Sequence, residues 1–266
     1  ITVLRDGAVS GTTRPSATSR EQLAEMMVGR PVNLTRTLGE QSVGAPKLQV
    51  NNLTVTGDRG TTAVNNVSID VHAGEIVGIA GVSGNGQREL AEAIFGLREI
   101  AAGSITLNGT TITSPTPQQV RQLGLAYVPE ERMRDGAIGE FTVAENLMLV
   151  DYVAPPFTQR GLLNATAIEQ RSGELIDGYG VKTPTMHTPT RHLSGGNIQK
   201  VVIAREFSSS SDALVVAQPT RGVDIGAAEY IHERLLEQRS SGSAILLISE
   251  DLDEIMQLSD RIIVVL

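Results

Sequence analysis

The run Glu75-Ile76-Val77-Gly78-Ile79-Ala80, followed at once by Gly81-Val82-Ser83-Gly84-Asn85-Gly86-Gln87-Arg88, constrains the fold more than any other stretch of the chain. An apolar run without alternation reads as a strand covered on both faces, and the spacing of Leu90, Ala91, Ile94 and Phe95 predicts a helix directly after it. Ala213-Leu214-Val215-Val216-Ala217 and Ala244-Ile245-Leu246-Leu247-Ile248 are two more runs of the same buried type. Buried strands interleaved with helices predict an α/β fold. At the strand-to-helix junction, glycines let successive backbone N–H groups turn around an anion, and the helix N-terminus adds partial positive charge.

The loop departs from the usual phosphate-binding pattern, G-x-x-x-x-G-K-[ST]. Gly81 and Gly86 match it, and Ser83, Gly84 and Asn85 lie between them. Gln87 stands where a lysine would meet the β- and γ-phosphates, and Arg88 stands where a hydroxyl would ligate Mg²⁺. Two unit charges 4 Å apart interact by about 4 kcal/mol at an effective dielectric of 20, so losing the lysine weakens triphosphate binding even after solvation offsets part of it. Arg88 is expected to turn its guanidinium toward the phosphates and lessen the need for Mg²⁺. A tight turn with no nucleotide at all is the other reading of the same residues.

Composition narrows the partners. With 266 residues and 40% hydrophobic content, the chain can bury one sizeable core or a core with a small satellite. A formal charge of -8 without clustered Lys or Arg argues against nucleic acid. No apolar run approaches the roughly 20 residues that span a bilayer, so any membrane role is expected to be peripheral. With no cysteine, disulfides and thiolate metal sites are excluded. His72, His187, His192 and His232 lack ligand spacing; they are expected to be ordinary surface groups, and no metal site is expected. The serines from 208 to 211 read as a loop before the strand at 213–217.

Ile1 to Gly7 reads as a strand entering a turn, and Asp260 to Leu266 reads as a similar strand that stops where the first continues. The pair suggests one structural position in successive copies of a unit. Thr18 to Val28 reads as a helix capped by Thr18-Ser19, with Leu23, Met26 and Met27 on one apolar face. The polar stretch from Gly29 to Pro46 reads as a linker. Residues 1–46 are therefore expected to be the tail of a preceding domain plus a linker, and 47–266 the main domain.

Leu193-Ser194-Gly195-Gly196-Asn197-Ile198-Gln199-Lys200 places a hydroxyl and free N–H groups at the start of an apolar-faced helix, a natural site for a terminal phosphate. These residues resemble the LSGGQ signature of ABC transporter ATP-binding subunits, and the resemblance extends from Lys47 to Leu266. Ala217 and Gln218 fall where the Walker B strand normally ends in Asp-Glu, one acid organising Mg²⁺ and the other polarising the attacking water. Glu130, in Tyr127-Val128-Pro129-Glu130, falls at the Q-loop glutamine. Glu250, in Ile248-Ser249-Glu250-Asp251, falls at the switch histidine, and Gly57 at an adenine-stacking aromatic. Asp224, in Arg221-Gly222-Val223-Asp224, matches the D-loop.

The resemblance implies an ABC-type P-loop ATPase domain: a mixed β-sheet core, an antiparallel β subdomain, and a helical subdomain at about 131–191, including Phe141, Thr142, Val143, Asn146 and Leu147, that contacts the permease. These motifs look like the second, degenerate half of duplicated ATPases that serve simple-sugar and nucleoside importers, with Ala217-Gln218 closer to the nucleoside type. In that family the signature reads ATP held by the first domain of the same polypeptide, whose site is Mg²⁺-dependent. Catalytic groups in cis are thus expected to be absent, with nucleotide held weakly or not at all. Transmembrane permease subunits, and indirectly a substrate-binding protein, are the implied partners, on the cytoplasmic face of the cell membrane. A nucleotide-dependent scaffold not coupled to transport, and an independent ATPase with unusual residues, remain alternatives, as does sugar versus nucleoside.

Overall fold

The computed structural model describes residues 1–5, 7–31, 39, 42–82, 84–209 and 211–265. Ser83 and Leu266, together with Asp6 and much of the stretch read as a linker, lie outside the described residues. In chain order the elements are β1 (Thr2–Arg5), β2 (Ala8–Thr12), α1 (Arg20–Val28), β3 (Pro46–Thr56), β4 (Thr62–His72), β5 (Ile76–Ala80), α2 (Gln87–Ile94), β6 (Ile100–Leu107), β7 (Thr110–Ile112), α3 (Pro117–Gln122) and β8 (Leu125–Val128). They continue as α4 (Val143–Met148), β9 (Thr158–Gln159), β10 (Leu162–Leu163), α5 (Ala165–Gly178), α6 (Gly195–Ser208), β11 (Ala213–Ala217), α7 (Ile225–Ser240), β12 (Ala244–Ser249), α8 (Leu252–Leu258) and β13 (Arg261–Val264).

The three apolar runs become β5, β11 and β12, buried along their whole length. They form the centre of a five-stranded sheet ordered β13-β5-β12-β11-β8, every neighbouring pair parallel. A second, four-stranded sheet, β4-β3-β6-β7, is antiparallel throughout, as are the two small hairpins β1-β2 and β9-β10, so the expected mixture is divided between separate sheets. In β3 burial alternates, because one face packs inward and the other meets solvent. Alternation also sorts the parallel strands: Val215, Ala217, Leu246 and Ile248 join the core with the antiparallel sheet and α2, while Leu214, Val216, Ile245 and Leu247 pack against α6, α7 and α8.

Helix α6 is shared between two cores. Its Val202 and Ile203 face the parallel sheet, and its Val201 and Ala204 pack with Val143, Leu147 and Leu175 of the helical subdomain. Near its end Glu206, with no exposed surface, accepts 2.9 and 3.1 Å bonds from the Arg121 fork of α3 and a 2.8 Å bond from Arg205. Arg205 also donates to the Asn146 carbonyl at 3.4 Å. The Asn146 side chain then accepts from the Ile138 N–H at 2.8 Å and donates to Thr190 Oγ1 at 2.8 Å.

Within the segment read as the helical subdomain, burial separates core residues from surface ones. Val143, Asn146 and Leu147 are buried and hold the subdomain together, so only Phe141, at 39% exposure, and the half-buried Thr142 remain on its surface. Neighbouring Ile138, Tyr152 and Val153 are exposed as well.

The N-terminal residues form a hairpin, β1 antiparallel to β2, and α1 packs beside it. Ser19 alone caps α1, in a reciprocal box with Gln22. Ala24 is the buried residue of that helix and Met27 is 45% exposed, so the face is rotated from the one expected. β13 pairs in parallel with β5, whereas β1 pairs with its own hairpin partner, so the two terminal strands stand in different surroundings.

Burial by itself pushes the Glu206 carboxyl up, but Arg205 and Arg121 outweigh it and hold the group below the ordinary 4.5. A carboxylate with a lowered folded-state pKa contributes fully above 4.5, and its contribution is lost as pH falls through the lowered value. Glu206→Gln leaves two guanidinium groups without their anion and should cost about 3–5 kcal/mol at neutral pH. Urea unfolding of both proteins should show that gap narrowing once the pH drops below 4.5.

Candidate functional site

Two clefts carry the residues singled out by sequence, and they share no lining residue. The first, about 250 Å³, lies where β5 passes through its glycine loop into α2, beside the ends of β11 and β12. Gly86 precedes α2 at φ 89°, and a Cβ there would come within 2.2 Å of the Ala63 carbonyl oxygen, so only glycine fits. Gln87 is 8% exposed and curls back into its own loop. Its Oε1 accepts the Asn85 N–H at 3.2 Å, and its amide nitrogen would lie 2.5 Å from a Cβ on Gly81. An N–H that a phosphate loop would offer to an anion is therefore already bonded to the loop's own amide.

Arg88 does not serve as the free phosphate partner expected. Its guanidinium is ion-paired to Asp58 in the turn after β3, lies 3.4 Å from Glu89 and 3.7 Å from Glu92, and is held more firmly protonated by the Asp58 bond. Asp58 also accepts from Arg98 at 2.8 Å. Sequence spacing could not reveal this, because Asp58 lies on another sheet. Gly57 sits in the same turn and donates its N–H to the Thr61 carbonyl at 2.8 Å.

Ala217, 3% exposed, ends β11 with a methyl group. Gln218 takes a left-handed φ of 50°, donates its N–H to the Ile248 carbonyl at 2.8 Å and accepts the Glu250 N–H at 3.2 Å. Gln218 thus joins the ends of β11 and β12 through amide bonds. Glu130 is paired with Arg221, and Glu250 is exposed. The cleft is lined by the carboxylates Glu89, Glu130 and Glu250, with Arg88 already committed to acids. Burial pushes the Tyr127 phenol up, so that wall stays a neutral hydroxyl. Neither Ala217 nor Arg88 offers an oxygen where Mg²⁺ would be organised, so the residues present do not fit the metal, and no metal step follows here. Among the described residues no three His, Asp or Glu side chains converge as a metal site.

The second cleft, about 560 Å³, opens at the start of α6. Ser194 is exposed, and its hydroxyl leaves the helix N–H groups uncapped while accepting from Asn197 Nδ2 at 2.9 Å. Asn197 in turn accepts the Lys182 N–H at 2.8 Å, which ties the motif to the preceding loop. Leu193 packs as a half-buried residue against both the sheet core and the subdomain core. Gly196 is buried, with its Cβ position 3.2 Å from Ala227 and 3.3 Å from Asp224 Oδ2. Asp224 caps α7 through a 2.9 Å bond from the Ala227 N–H.

Lys182, Lys200 and Asp224 line this cleft, as do Arg5 and Arg30 from the N-terminal segment, Arg30 being paired with Glu229 at 2.8 Å. Burial, and next Lys182, lower the Lys200 pKa, while Asp224 pulls it up. Lys200 also donates to the Gly180 carbonyl at 3.0 Å and sits 4.5 Å over the Tyr230 ring. This grouping of cations was not singled out from the sequence, because Lys200 lies 18 positions after Lys182. Two histidines also depart from the surface role expected: His72 bonds Glu75 at 3.0 Å, and His232 bonds the buried Glu254 at 2.9 Å. The crossing of α7 and α8 creates the second contact.

A parallel sheet with a glycine loop, an antiparallel sheet beside it and a helical subdomain ending in the signature helix define an ATP-binding cassette. The dimeric structure of MJ0796, a bacterial ABC transporter cassette, has this fold at a TM-score of 0.70 and 22% identity, over 82% of this chain and 94% of that one. The family model described as ABC transporter matches residues 64–221, and the chain belongs to that family. It is 43% identical over its full length to the guanosine import ATP-binding protein NupO of Bacillus subtilis, covering 52% of that protein. Identity is 45% to the glucose import ATP-binding protein TsgD13 of Haloferax volcanii, over all of this chain and 48% of the relative. For the ribose import ATP-binding protein RbsA 1 of Rubrobacter xylanophilus it is 38%, over 99% of this chain and 52% of that protein. The chain thus spans about half the length of these relatives.

Restoring the standard side chains should reopen the first cleft. Gln87→Lys combined with Arg88→Thr removes the internal amide bond, replaces an occupied cation with a hydroxyl and supplies a phosphate partner. Calorimetry should show ATP binding at least about tenfold tighter than in the unaltered chain, equivalent to about 1.4 kcal/mol.

Proposed function

We propose that this chain is the second ATP-binding domain of an ABC importer for simple sugars or nucleosides, presenting its signature in trans to ATP held by a first domain of the same polypeptide. The observation that carries the reading is the contrast between the two clefts. In one, Gln87 bonds its own loop among Glu89, Glu130 and Glu250. In the other, Ser194 and the α6 N-terminus open beside Lys182 and Lys200. A triphosphate carries several negative charges, so the second cleft attracts it and the first repels it.

In this reading the N–H groups at Gly195 and Gly196, with the Ser194 hydroxyl, close over the terminal phosphate of the partner's ATP. They stabilise the charge that develops there, aided by the helix N-terminus. Mg²⁺ and the activated water belong to the first domain. The names and the doubled length of the relatives support the importer assignment and the duplicated polypeptide. Identity is higher to the guanosine and glucose proteins than to the ribose protein, which favours neither nucleoside nor sugar. The partners are a permease, met by the surface around Phe141, and a substrate-binding protein beyond it, with the domain peripheral on the cytoplasmic face. Among the described residues no helix is long and apolar enough to cross a membrane.

Two measurements test the proposal. The isolated chain, titrated with ATP in Mg²⁺ and again in EDTA, should bind weakly and turn over no ATP; robust Mg²⁺-dependent hydrolysis would overturn the reading of Ala217 and Gln218. In the full-length protein, Ser194→Ala should lower ATP turnover by about 100-fold, the usual effect of losing one preorganised donor to a developing charge. Unchanged turnover would remove the trans role.

A further inference from the structure

Segment 130–136 meets the signature and the residues leading to α7, and Arg132 is the side chain that reaches both. Arg132 donates from Nη1 to the Arg221 carbonyl at 2.7 Å and from Nη2 to the Gly222 carbonyl at 3.2 Å. The same Nη2 would lie 2.7 Å from a Cβ on Gly195, so the guanidinium rests directly against the signature glycine. Gly222 sits at φ 65°, in the left-handed region that glycine adopts without a Cβ penalty. Arg221 meanwhile extends its own guanidinium to Glu130 and lies 3.7 Å from Glu131. Gly136, at the end of the segment, packs with its Cβ position 3.3 Å from both Pro129 and Val202 of α6. The segment from Glu130 to Gly136 therefore touches α6, the loop before α7 and the signature without any ligand.

We infer that Arg132 is a positioning residue for the signature: its fork holds Gly195 against the loop at Arg221 and Gly222 and keeps the N–H groups of α6 set for a phosphate. The inference rests on the trans-signature reading. A glycine pair at a helix start has no side chains with which to fix its own posture, so a neighbour must supply it. The planar fork meets two carbonyls at once, which a lysine ammonium on a flexible stem does not do in the same geometry. The Glu130–Arg221 pair adds a second tie and leaves the Arg221 carbonyl available to Arg132. Where a glutamine at position 130 would be neutral, the glutamate here anchors the loop electrostatically.

The test uses the full-length protein with Arg132→Lys and Arg132→Met, and with Ser194→Ala as the control for the parent reading. Both Arg132 variants should lower kcat for ATP about tenfold or more, the scale of a small misplacement of a catalytic group, with KM and melting temperature close to those of the unaltered protein. Hydrogen exchange at the peptide covering residues 193–200 should quicken in both, with the strands of the parallel sheet unchanged. A lysine variant with normal kcat and normal exchange would overturn the inference, since the fork would then be dispensable. A fall in melting temperature matching the loss of kcat would overturn it too, making Arg132 an ordinary stabilising residue. If Ser194→Ala leaves turnover intact while exchange quickens in the Arg132 variants, the positioning stands and the trans reading fails.

Discussion

The buried carboxylate of Glu206 is the interaction on which the rest of the architecture depends. It sits near the end of α6 with no exposed surface, held by Arg121 from α3 and by its neighbour Arg205. Such an arrangement tolerates no partial version, because either charge left alone in the interior would be strongly destabilising. Through Arg205 and the carbonyl of Asn146 the same network reaches α4 and the loop at Ile138 and Thr190. The helical subdomain is thus tied to the sheet core by polar contacts as well as by the apolar faces of α6. A helix fixed along its length presents its N-terminus in a fixed direction, and that N-terminus carries Ser194, Gly195 and Gly196.

With α6 fixed, the chemistry divides by charge. The cleft at the glycine loop has its amide cradle bonded internally by Gln87, its arginine tied to acids, and an alanine at the strand end. The cleft at the signature gathers lysines and arginines around an exposed serine. Neither pattern depends on a single substitution. In the proposed reading, several separate residues, drawn from α2, β11 and the loops beside them, disfavour triphosphate in the first cleft. The second is shaped by α6, α7 and the N-terminal segment.

Much of this was legible in the chain. The strands β5, β11 and β12 were readable because both faces are buried, so the apolar runs are continuous and carry no competing polar pattern. The glycine loop and the signature were readable because glycine is required at fixed offsets, as the 2.2 Å approach of Gly86 to Ala63 makes plain. The rotated face of α1 was not readable, because Leu23, Met26 and Met27 fit the expected spacing while a small Ala24 makes the actual contact. Asn146 was read only as part of the helical subdomain, and it is fully buried. A polar residue in sequence gives no sign that its amide closes a loop.

Sequence alone determined the α/β class, the position of the glycine loop, the signature, and the loss of charge-bearing side chains at Gln87, Ala217 and Gln218, since these follow from residue type and local spacing. Only the tertiary structure decided where the remaining charges went. Arg88 turned to Asp58 thirty residues earlier, Glu130 met Arg221 ninety-one residues later, and Arg132 closed on the carbonyls beside it. Ion pairs and carbonyl contacts of this kind are set by which loops the sheet order brings together, and that order is a property of the packed strands and helices, not of neighbours in the chain.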